Sequence, residues 1–274
     1  MAVRALAQSA RGEVSHLRRL VGNISTRATR AARAFRVGEY DYHLALLEED
    51  GLYVAYREGT ADESVLKHSL RRDIFLPGVP EYQPRSSDTV IEVGSHIGTF
   101  TVLIARQVDR VYAIEPSRET FDYLRINCLL NRLDNVRPFH LALGQERGLA
   151  TLYHDRENWG HTTMKQLTHE SETVPMATLT DFMADQEIDR CDFLRMNCEG
   201  AEFPILLCTP PETLERVDAM LVSYHCDLVS VPLESLVAHI RRAGLEVEIR
   251  NRTSPYHGWL VAFRRGQAAG DGRE

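Results

Sequence analysis

From residue 88 onward, short apolar runs alternate with stretches whose apolar residues recur at helical spacing. Short apolar runs predict buried strands, and apolar residues three and four positions apart predict helices. The predicted strands span residues 89–93, 111–115, 136–141, 192–196 and 219–224. The predicted helices span residues 97–107, 117–131 and 233–243, with a further helix beginning at Ala201. Strands that alternate with helices are typical of a parallel sheet with helices on both faces.

The two ends of this region differ from its middle. Segments 245–250 and 259–263 are strands separated by only a turn, which predicts an antiparallel edge. Ahead of residue 88, segments 42–47 and 52–56 flank a Glu-Asp-Gly turn and predict a hairpin. A helix should follow from about Asp62, capped by Thr60 or Asp62, while Ser117 should cap the helix over 117–131. A hairpin-like stretch is also expected near 149–154, followed by a polar loop.

These patterns divide the chain into four parts. Residues 1–36 form a basic, Arg-rich helical arm, and residues 37–87 form a hairpin and helix ahead of the core. Residues 88–265 form an α/β core with a mostly parallel sheet, and residues 266–274 are expected to be a frayed tail. No internal repeat is visible in the sequence.

Charge separates the arm from the rest of the chain. The formal net charge is −7, but residues 1–36 contain eight Arg and a single acid, Glu13, which gives +7 there and −14 elsewhere. Apolar residues of the arm follow helical spacing, so it is interpreted as a loosely docked helix, with a partner-docking arm or a membrane-surface helix as alternatives. Its Arg-, Ser- and Ala-rich, acid-poor composition also resembles a transit peptide. The acidic body argues against a nucleic-acid binder, which needs a basic face.

Composition excludes several other classes. The 274 residues are 43% apolar and 26% charged, which is an ordinary globular balance. No apolar run approaches the roughly 20 residues of a membrane span, and no secretory signal is recognised. The five Cys never form a CxxC pair, which disfavours zinc ribbons and disulfide scaffolds. Buried free thiols in the cytoplasm are the expectation.

The residues that follow the first two core strands carry the first chemical signal. In open α/β sheets the ligand lies beyond the carboxyl ends of the strands. There Gly94 and Gly98 bracket a tight turn into a helix, and Glu115 ends the second strand 21 residues after Gly94. An acid about 20 residues beyond such a turn accepts hydrogen bonds from ribose hydroxyls. The combination predicts a nucleotide-like ligand with a free ribose.

The details of this turn favour one ligand. The glycines are spaced G-x-x-x-G instead of G-x-G-x-x-G, and Glu92 lies two residues before the first. A carboxylate at that place would repel a pyrophosphate but would suit a cationic amino-acid group. No P-loop motif is present, which disfavours ATP chemistry. A ligand with adenosine, ribose and positive charge is S-adenosylmethionine.

At this point the sequence resembles the FkbM-type methyltransferases over roughly residues 38–265. The matching segments are Glu92-Val93-Gly94-Ser95-His96-Ile97-Gly98, Ala113-Ile114-Glu115-Pro116, Asn135-Val136 leading to Ala142-Leu143-Gly144, Phe193-Leu194-Arg195-Met196-Asn197-Cys198-Glu199-Gly200-Ala201-Glu202, and Arg57-Glu58-Gly59-Thr60-Ala61-Asp62. The resemblance implies a class I methyltransferase fold, which is Rossmann-like, with S-adenosylmethionine as cofactor. It also implies a hydroxyl acceptor on a sugar or natural product.

The resemblance also assigns positions in the cofactor site. Residues expected to contact the methionine part are Glu92, Gly94, Ser95, His96 and Gly98. The ribose is assigned to Glu115 with Pro116 beside it, and the adenine is assigned to Ala142 and Leu143. The chain departs from the family pattern at three positions: Asn197 replaces the usual Asp, Arg195 the usual Lys, and His96 the usual Asn. Because an amide is neither a base nor a good ligand for hard metals, no metal is expected.

The catalytic candidates follow the fourth and fifth core strands. They are Asn197, Glu199 and His225, and His225 is the preferred base because histidine titrates near neutral pH. Glu202 is interpreted as an acid that stabilises a helix start. His154 and His161, in or beside the loop over residues 158–163, are additional candidates.

The sequence as a whole predicts a cytoplasmic S-adenosylmethionine-dependent O-methyltransferase that acts on a hydroxylated small molecule. The expected partners are this acceptor and, through the arm, a second copy of the chain, but not nucleic acid. Two alternatives stay open: an N- or nucleic-acid methyltransferase, and a catalytically silent protein of the same fold that binds a nucleotide-like ligand.

Overall fold

The structure, a computed structural model, describes residues 34–37, 40–47, 51–70, 79–155 and 160–264. The helical pattern expected between residues 6 and 24 therefore lies outside the described residues, as does the tail from residue 266. Strand β1, Ala34–Val37, crosses the predicted boundary between the arm and the following region.

The elements follow one another in this order. The strands are β1 Ala34–Val37, β2 Tyr40–Leu47, β3 Leu52–Tyr56, β4 Thr89–Val93, β5 Arg110–Glu115, β6 Val136–His140, β7 Ala142–Leu143, β8 Gly148–Tyr153, β9 Ser171–Ala177, β10 Cys191–Asn197, β11 Val217–His225, β12 Glu246–Arg250 and β13 His257–Phe263. The helices are α1 Ala61–Leu70, α2 Thr99–Ile104, α3 Arg118–Leu130, α4 Leu179–Asp185, α5 Glu202–Cys208, α6 Pro211–Leu214 and α7 Leu233–Arg242. A short 3₁₀ helix covers Cys226–Leu228.

A seven-stranded sheet forms the core, in the order β12-β13-β11-β10-β4-β5-β6. Strand β13 runs antiparallel to both of its neighbours, and the other pairs are parallel. The predicted α/β class, the parallel sheet and the antiparallel edge are thereby confirmed. Two smaller sheets, β1-β2-β3 and β7-β9-β8, flank the core.

Alternating side chains of the central strands bury themselves on opposite faces of the sheet. In β10, Leu194 joins a cluster with residues of α4, α5 and α7, such as Ile205 and Leu236. The preceding residue, Phe193, packs on the other face with Phe100 of α2 and Leu124 of α3. Helices therefore cover both faces, as the sequence predicted. The apolar layers on the two faces hold the strands, and so fix the positions of the strand ends.

Several local predictions need correction. Strand β8 does not form a local hairpin but pairs antiparallel with β9, across a segment predicted as a polar loop. Helix α2 is shorter than predicted, because residues 94–98 are taken up by the turn. Ser117 occupies the cap position of α3, yet its side chain makes no capping hydrogen bond. At α1 the cap is Thr60, whose hydroxyl accepts from the Asp62 N–H. Of the free thiols, Cys208 is exposed rather than buried.

A buried amide joins the N-terminal hairpin to the core. Asn127 of α3 is fully buried, and its Oδ1 accepts from the Ala55 N–H while its Nδ2 donates to the carbonyl oxygens of Ala55 and Ile97. One side chain thus satisfies main-chain groups of β3 and of the turn after β4. One helical turn later, the half-buried Asn131 pairs with Tyr53 in a similar way.

We predict that Asn127→Leu lowers the free energy of unfolding by about 2–4 kcal/mol, because it strands buried main-chain donors and acceptors of Ala55 and Ile97. Urea unfolding monitored by circular dichroism measures this loss. Asn131→Leu is the matched control and should cost less, since water can reach that position. Equal losses in the two variants would contradict the assigned role of Asn127.

Candidate active site

A cavity of about 660 Å³ opens at the carboxyl ends of the central strands. Its volume is in the range typical of small-molecule sites. Residues of the turn after β4, the end of β5, the β6–β7 connection and the ends of β10 and β11 line it. The sheet therefore brings together the strand ends from which the sequence predicted a site.

The turn after β4 packs tightly against the end of β10. The N–H groups of Gly94 and Ser95 both donate to the Ile114 carbonyl, and Gly94 has a φ of 77°. A Cβ on Gly94 would overlap the carbonyl oxygen of Asn197. Only glycine fits this approach and this backbone conformation. Gly94, Ser95 and His96 line the cavity, as predicted.

Glu115 forms the acidic wall of the cavity at the end of β5. Its carboxylate accepts hydrogen bonds from the His96 N–H at 2.8 Å and from the Ser117 N–H at 2.9 Å. Burial raises its pKa to about 7 despite these two donors. Each oxygen keeps a free lone pair, so the group can still accept hydrogen bonds from a ligand.

An apolar slot continues the cavity beside Glu115. Pro116, Ala142 and Leu143 line it as predicted, together with Leu141 and Leu152. Ala142 and Leu143 are both buried. The lining of the slot has the apolarity expected for an aromatic ring system, next to a carboxylate that can bind hydroxyl groups.

Two residues predicted to contact the cofactor do not line the cavity. Glu92 is fully buried, and Arg195 and the Thr101 hydroxyl donate hydrogen bonds to its carboxylate, which leaves it no route to a ligand. Gly98, with a φ of 83°, begins α2, and its Cα faces the Leu124 side chain of α3. Glu92 is therefore half of an ion pair with Arg195. Gly98 allows the start of α2 to lie close to α3.

His96 connects the cavity with the segment that precedes the core. It adopts a left-handed backbone conformation, with a φ of 54°, and its Nε2 lies 3.2 Å from Asp62 Oδ1. Asp62 is fully buried and accepts two side-chain hydrogen bonds from Arg57, each 2.9 Å long. Sequence reasoning missed these partners of His96. The sequence signal for them was the pair of charged residues Arg57 and Asp62, which bracket the motif ahead of the core.

Three ionisable side chains meet after β10 and β11. His225 Nδ1 lies 2.7 Å from Glu202 Oε1, and His225 Nε2 lies 3.5 Å from Glu199 Oε2. Glu202 is fully buried and also accepts from the Gly200 N–H. Glu199 and His225 line the cavity, as does the nearby Asn197. The sequence predicted Glu199, His225 and Asn197 here but assigned Glu202 only to the helix start.

The two carboxylates determine the charge of His225. Burial alone would lower its pKa, but the hydrogen bond and charge of Glu202, with the charge of Glu199, raise the pKa to about 9. Burial also raises the pKa of Glu199, against the opposing effect of His225. His225 is therefore a cation at neutral pH. A protonated imidazole cannot accept a proton, so this charge favours Glu199 over His225 as the base, and the role of His225 stays a prediction.

Other histidines near the cavity play different parts. Burial lowers the pKa of His161 to about 4, and its Nδ1 accepts from the Asp155 N–H. His154 pairs with Glu172. His257, the cross-strand neighbour of His225, lies 2.7 Å from Asp227. The cavity also contacts Trp259, which sequence reasoning did not single out, whereas residues 156–159 lie outside the described residues.

Neither a metal-binding cluster nor a helix long and apolar enough to cross a membrane occurs among the described residues. They contain no group of three or more His, Cys, Asp or Glu side chains arranged to hold a metal ion. They also contain no helix with the length and apolarity that crossing a membrane requires.

The chain matches the model of a known family. The model of the methyltransferase FkbM domain matches residues 92–242, which is more than half of the chain. The matched region begins in β4 and ends with α7, so it contains both the turn around Gly94 and the cluster around His225. A search of curated proteins gives no match.

Several solved structures are similar to this one at low identity. A methyltransferase FkbM from Methylobacillus flagellatus KT is 16% identical, with a TM-score of 0.49, over 69% of this chain and 46% of that one. This chain thus spans less than half of that protein. TYW2 from M. jannaschii, solved with AdoMet, is 17% identical, with a TM-score of 0.42, over 83% of this chain and 87% of that one.

We predict that His225 titrates with a pKa near 9, and that Glu202→Gln lowers this pKa by roughly one to three pH units, as expected for loss of a close opposite charge while the charge of Glu199 remains. With the carboxylate removed, burial is no longer offset by the hydrogen-bonded charge. Nuclear magnetic resonance of the imidazole resonances follows both titrations. A value near 6.5 for His225 in the unmodified protein would refute the assigned ion pairs.

Proposed function

Because the chain belongs to the FkbM methyltransferase family, we propose that it transfers the methyl group of S-adenosylmethionine to a hydroxyl group of a sugar or natural-product small molecule. The family match identifies an S-adenosylmethionine-dependent methyltransferase. The hydroxyl acceptor is the finer part of the proposal, and it rests on the chemistry of the side chains beside the cavity.

The described residues fit the methyl donor in three places. Glu115 presents buried carboxylate oxygens with free lone pairs, as two ribose hydroxyls require. The slot lined by Pro116, Ala142 and Leu143 suits the adenine. Gly94, Ser95 and His96 border the space left for the methionine part, where close approach of the main chain favours polar contacts.

Glu199 is the general base in this proposal. When bound, S-adenosylmethionine supplies an activated methyl group, whose C–S bond breaks as a bond to the acceptor oxygen forms. Glu199 lines the cavity and takes the proton that the hydroxyl group releases. Its raised pKa makes it a stronger base than an ordinary carboxylate. His225, held by Glu202, orients the carboxylate and keeps it ionised until the acceptor is in place.

The observation that carries this proposal is the Glu199–His225–Glu202 cluster in the cavity wall. A silent binding protein has no need of a half-buried cation between a half-buried acid and a fully buried one, since removing charge from water has a desolvation cost. Charge also disfavours a nucleic-acid acceptor. Among the described lining residues, the Lys and Arg side chains are limited to Arg195, which pairs with Glu92.

We predict that Glu115→Ala weakens S-adenosylmethionine binding about tenfold or more, because the variant loses charge-assisted hydrogen bonds to the ribose. Isothermal titration calorimetry measures the dissociation constant directly. Glu146→Ala, which removes an exposed acid, is the matched control and should bind like the unmodified protein. Unchanged affinity in Glu115→Ala would remove Glu115 from the donor site.

We predict that Glu199→Gln lowers kcat by about 10²–10⁴-fold, the usual contribution of a general base, while donor affinity stays the same. Turnover is measured by mass-spectrometric detection of methylated products from a panel of hydroxylated acceptors. In the unmodified enzyme, activity should rise as Glu199 loses its proton, above the ordinary glutamate range. Activity should fall again near pH 9, where His225 loses its charge.

Glu146→Gln serves as the control for this second measurement, since it makes the same chemical change on the surface. Full turnover in Glu199→Gln would exclude Glu199 as the base. Methylation of amines or nucleic acid in place of hydroxyl groups would overturn the acceptor class.

A further inference from the structure

Residues 160–164, between β8 and β9, lie directly on the main chain that carries Glu199. Thr162 anchors this segment to the end of β8 through two main-chain hydrogen bonds with Tyr153, of 2.9 and 3.1 Å. Further along, the Met164 side chain contacts Gly200, where an added Cβ would come within 3.2 Å of it. The segment is therefore fixed at one end and packed against the site at the other.

The Thr162 hydroxyl joins the two pieces of chain. It is 1% exposed, and its Oγ1 donates a 2.7 Å hydrogen bond to the Glu199 carbonyl oxygen. Thr162 Oγ1 also accepts a hydrogen bond from the Met164 N–H at 3.0 Å. Because the hydroxyl has a single proton and that proton goes to Glu199, its orientation is set on both sides.

The backbone at Glu199 needs such support. Glu199 has a φ of 50° and Gly200 a φ of 95°, so two successive residues are left-handed. A glutamate in this region is uncommon and persists only where its surroundings hold it. The turn it makes directs the Glu199 carboxylate toward His225 instead of continuing the line of β10.

Gly160 contacts the carboxylate itself. A Cβ at this position would lie 2.9 Å from Glu199 Oε2. The main chain of the segment thus packs against the side chain of Glu199, while Thr162 holds its carbonyl oxygen. Both contacts come from one short segment.

We propose that Thr162 is a positioning residue, whose hydroxyl group holds the Glu199 main chain in the conformation that brings the Glu199 carboxylate to His225. The catalytic consequence rests on the proposed function, in which Glu199 takes the acceptor proton. The position of the Glu199 carboxylate relative to His225 does not depend on the proposed function, because it is a matter of geometry alone.

Three variants test this proposal. Thr162→Val removes the hydroxyl and keeps the shape of the side chain, whereas Thr162→Ser keeps the hydroxyl. Thr168→Val is the matched control, since Thr168 in the same connection donates to the His154 carbonyl at 2.8 Å, away from Glu199. Circular dichroism and thermal unfolding establish that each variant is folded.

The first readout is the titration of His225, which needs no acceptor. His225 faces Glu199 and Glu202, with His257 and Asp227 beyond them. In Thr162→Val the carboxylate of Glu199 moves away, so the pKa of His225 should fall by about one pH unit, as expected for loss of one nearby opposite charge. Thr162→Ser and Thr168→Val should titrate like the unmodified protein.

The second readout separates this proposal from the function itself. In Thr162→Val, kcat should fall about tenfold with unchanged affinity for S-adenosylmethionine, and Thr162→Ser should restore it. If Glu199→Gln does not lower kcat, Glu199 is not the base. The titration of His225 in Thr162→Val still tests the positioning role of Thr162 in that case.

A second route covers the case in which Thr162→Val does not fold. Gly160→Ala leaves the hydroxyl in place but pushes a methyl group against the Glu199 carboxylate, so it should also lower the pKa of His225. The proposal is overturned if Thr162→Val titrates and turns over like Thr168→Val. It is equally overturned, where that variant is unfolded, if Gly160→Ala leaves the His225 titration unchanged.

Discussion

The ion pair between Glu92 and Arg195 is the interaction on which the site depends. The two residues are register partners on β4 and β10, the central strands of the sheet. Their side chains meet at 2.7 Å, and the same guanidinium nitrogen donates to the Gly94 carbonyl. Because a buried carboxylate without a partner is strongly disfavoured, this pair forces the ends of both strands into one arrangement. The close approach of Gly94 to Asn197 follows from it.

This pair also explains how the site tolerates its departures from the family pattern. The resemblance gives lysine as the usual residue at position 195, and lysine is a point charge on a flexible stem. One nitrogen of the Arg195 guanidinium binds both the carboxylate and the carbonyl, and the rigid plane of the group fixes that nitrogen in place. Arg195 also lies over the Phe100 ring, which restricts its movement. The turn is thus held by the guanidinium, and Asn197 is left to line the cavity without a charge of its own.

Much of the fold could be predicted because its strands are continuous apolar runs. Strand β9 was missed because it contains Ser171, Glu172 and Pro175, and it lies in a small flanking sheet where the apolar signal is weak.

Within the site, residues at strand ends were found because parallel strands bring them together. The side chains that hydrogen-bond to these strand-end residues could not be found in the same way. Glu202 and His225 are 23 residues apart, and their pairing depends on how α5 packs on β11. Glu92 and Arg195 both lie inside apolar runs, which was an available signal for their pairing, but Glu92 was assigned to the ligand instead.

The charges of the cluster fit methyl transfer to a neutral hydroxyl group. The cluster combines two acidic side chains, Glu199 and Glu202, with one basic side chain, His225, so its formal charge is −1. A sulfonium donor brings +1 into the same cavity, and attraction between the two is strong where water is excluded. Transfer of the methyl group leaves a neutral thioether, and Glu199 becomes neutral as it takes the proton. Both charges disappear in one step, so a site that is partly shielded from water favours the products. A neutral histidine in the place of this base would end the reaction as a cation and lose that advantage.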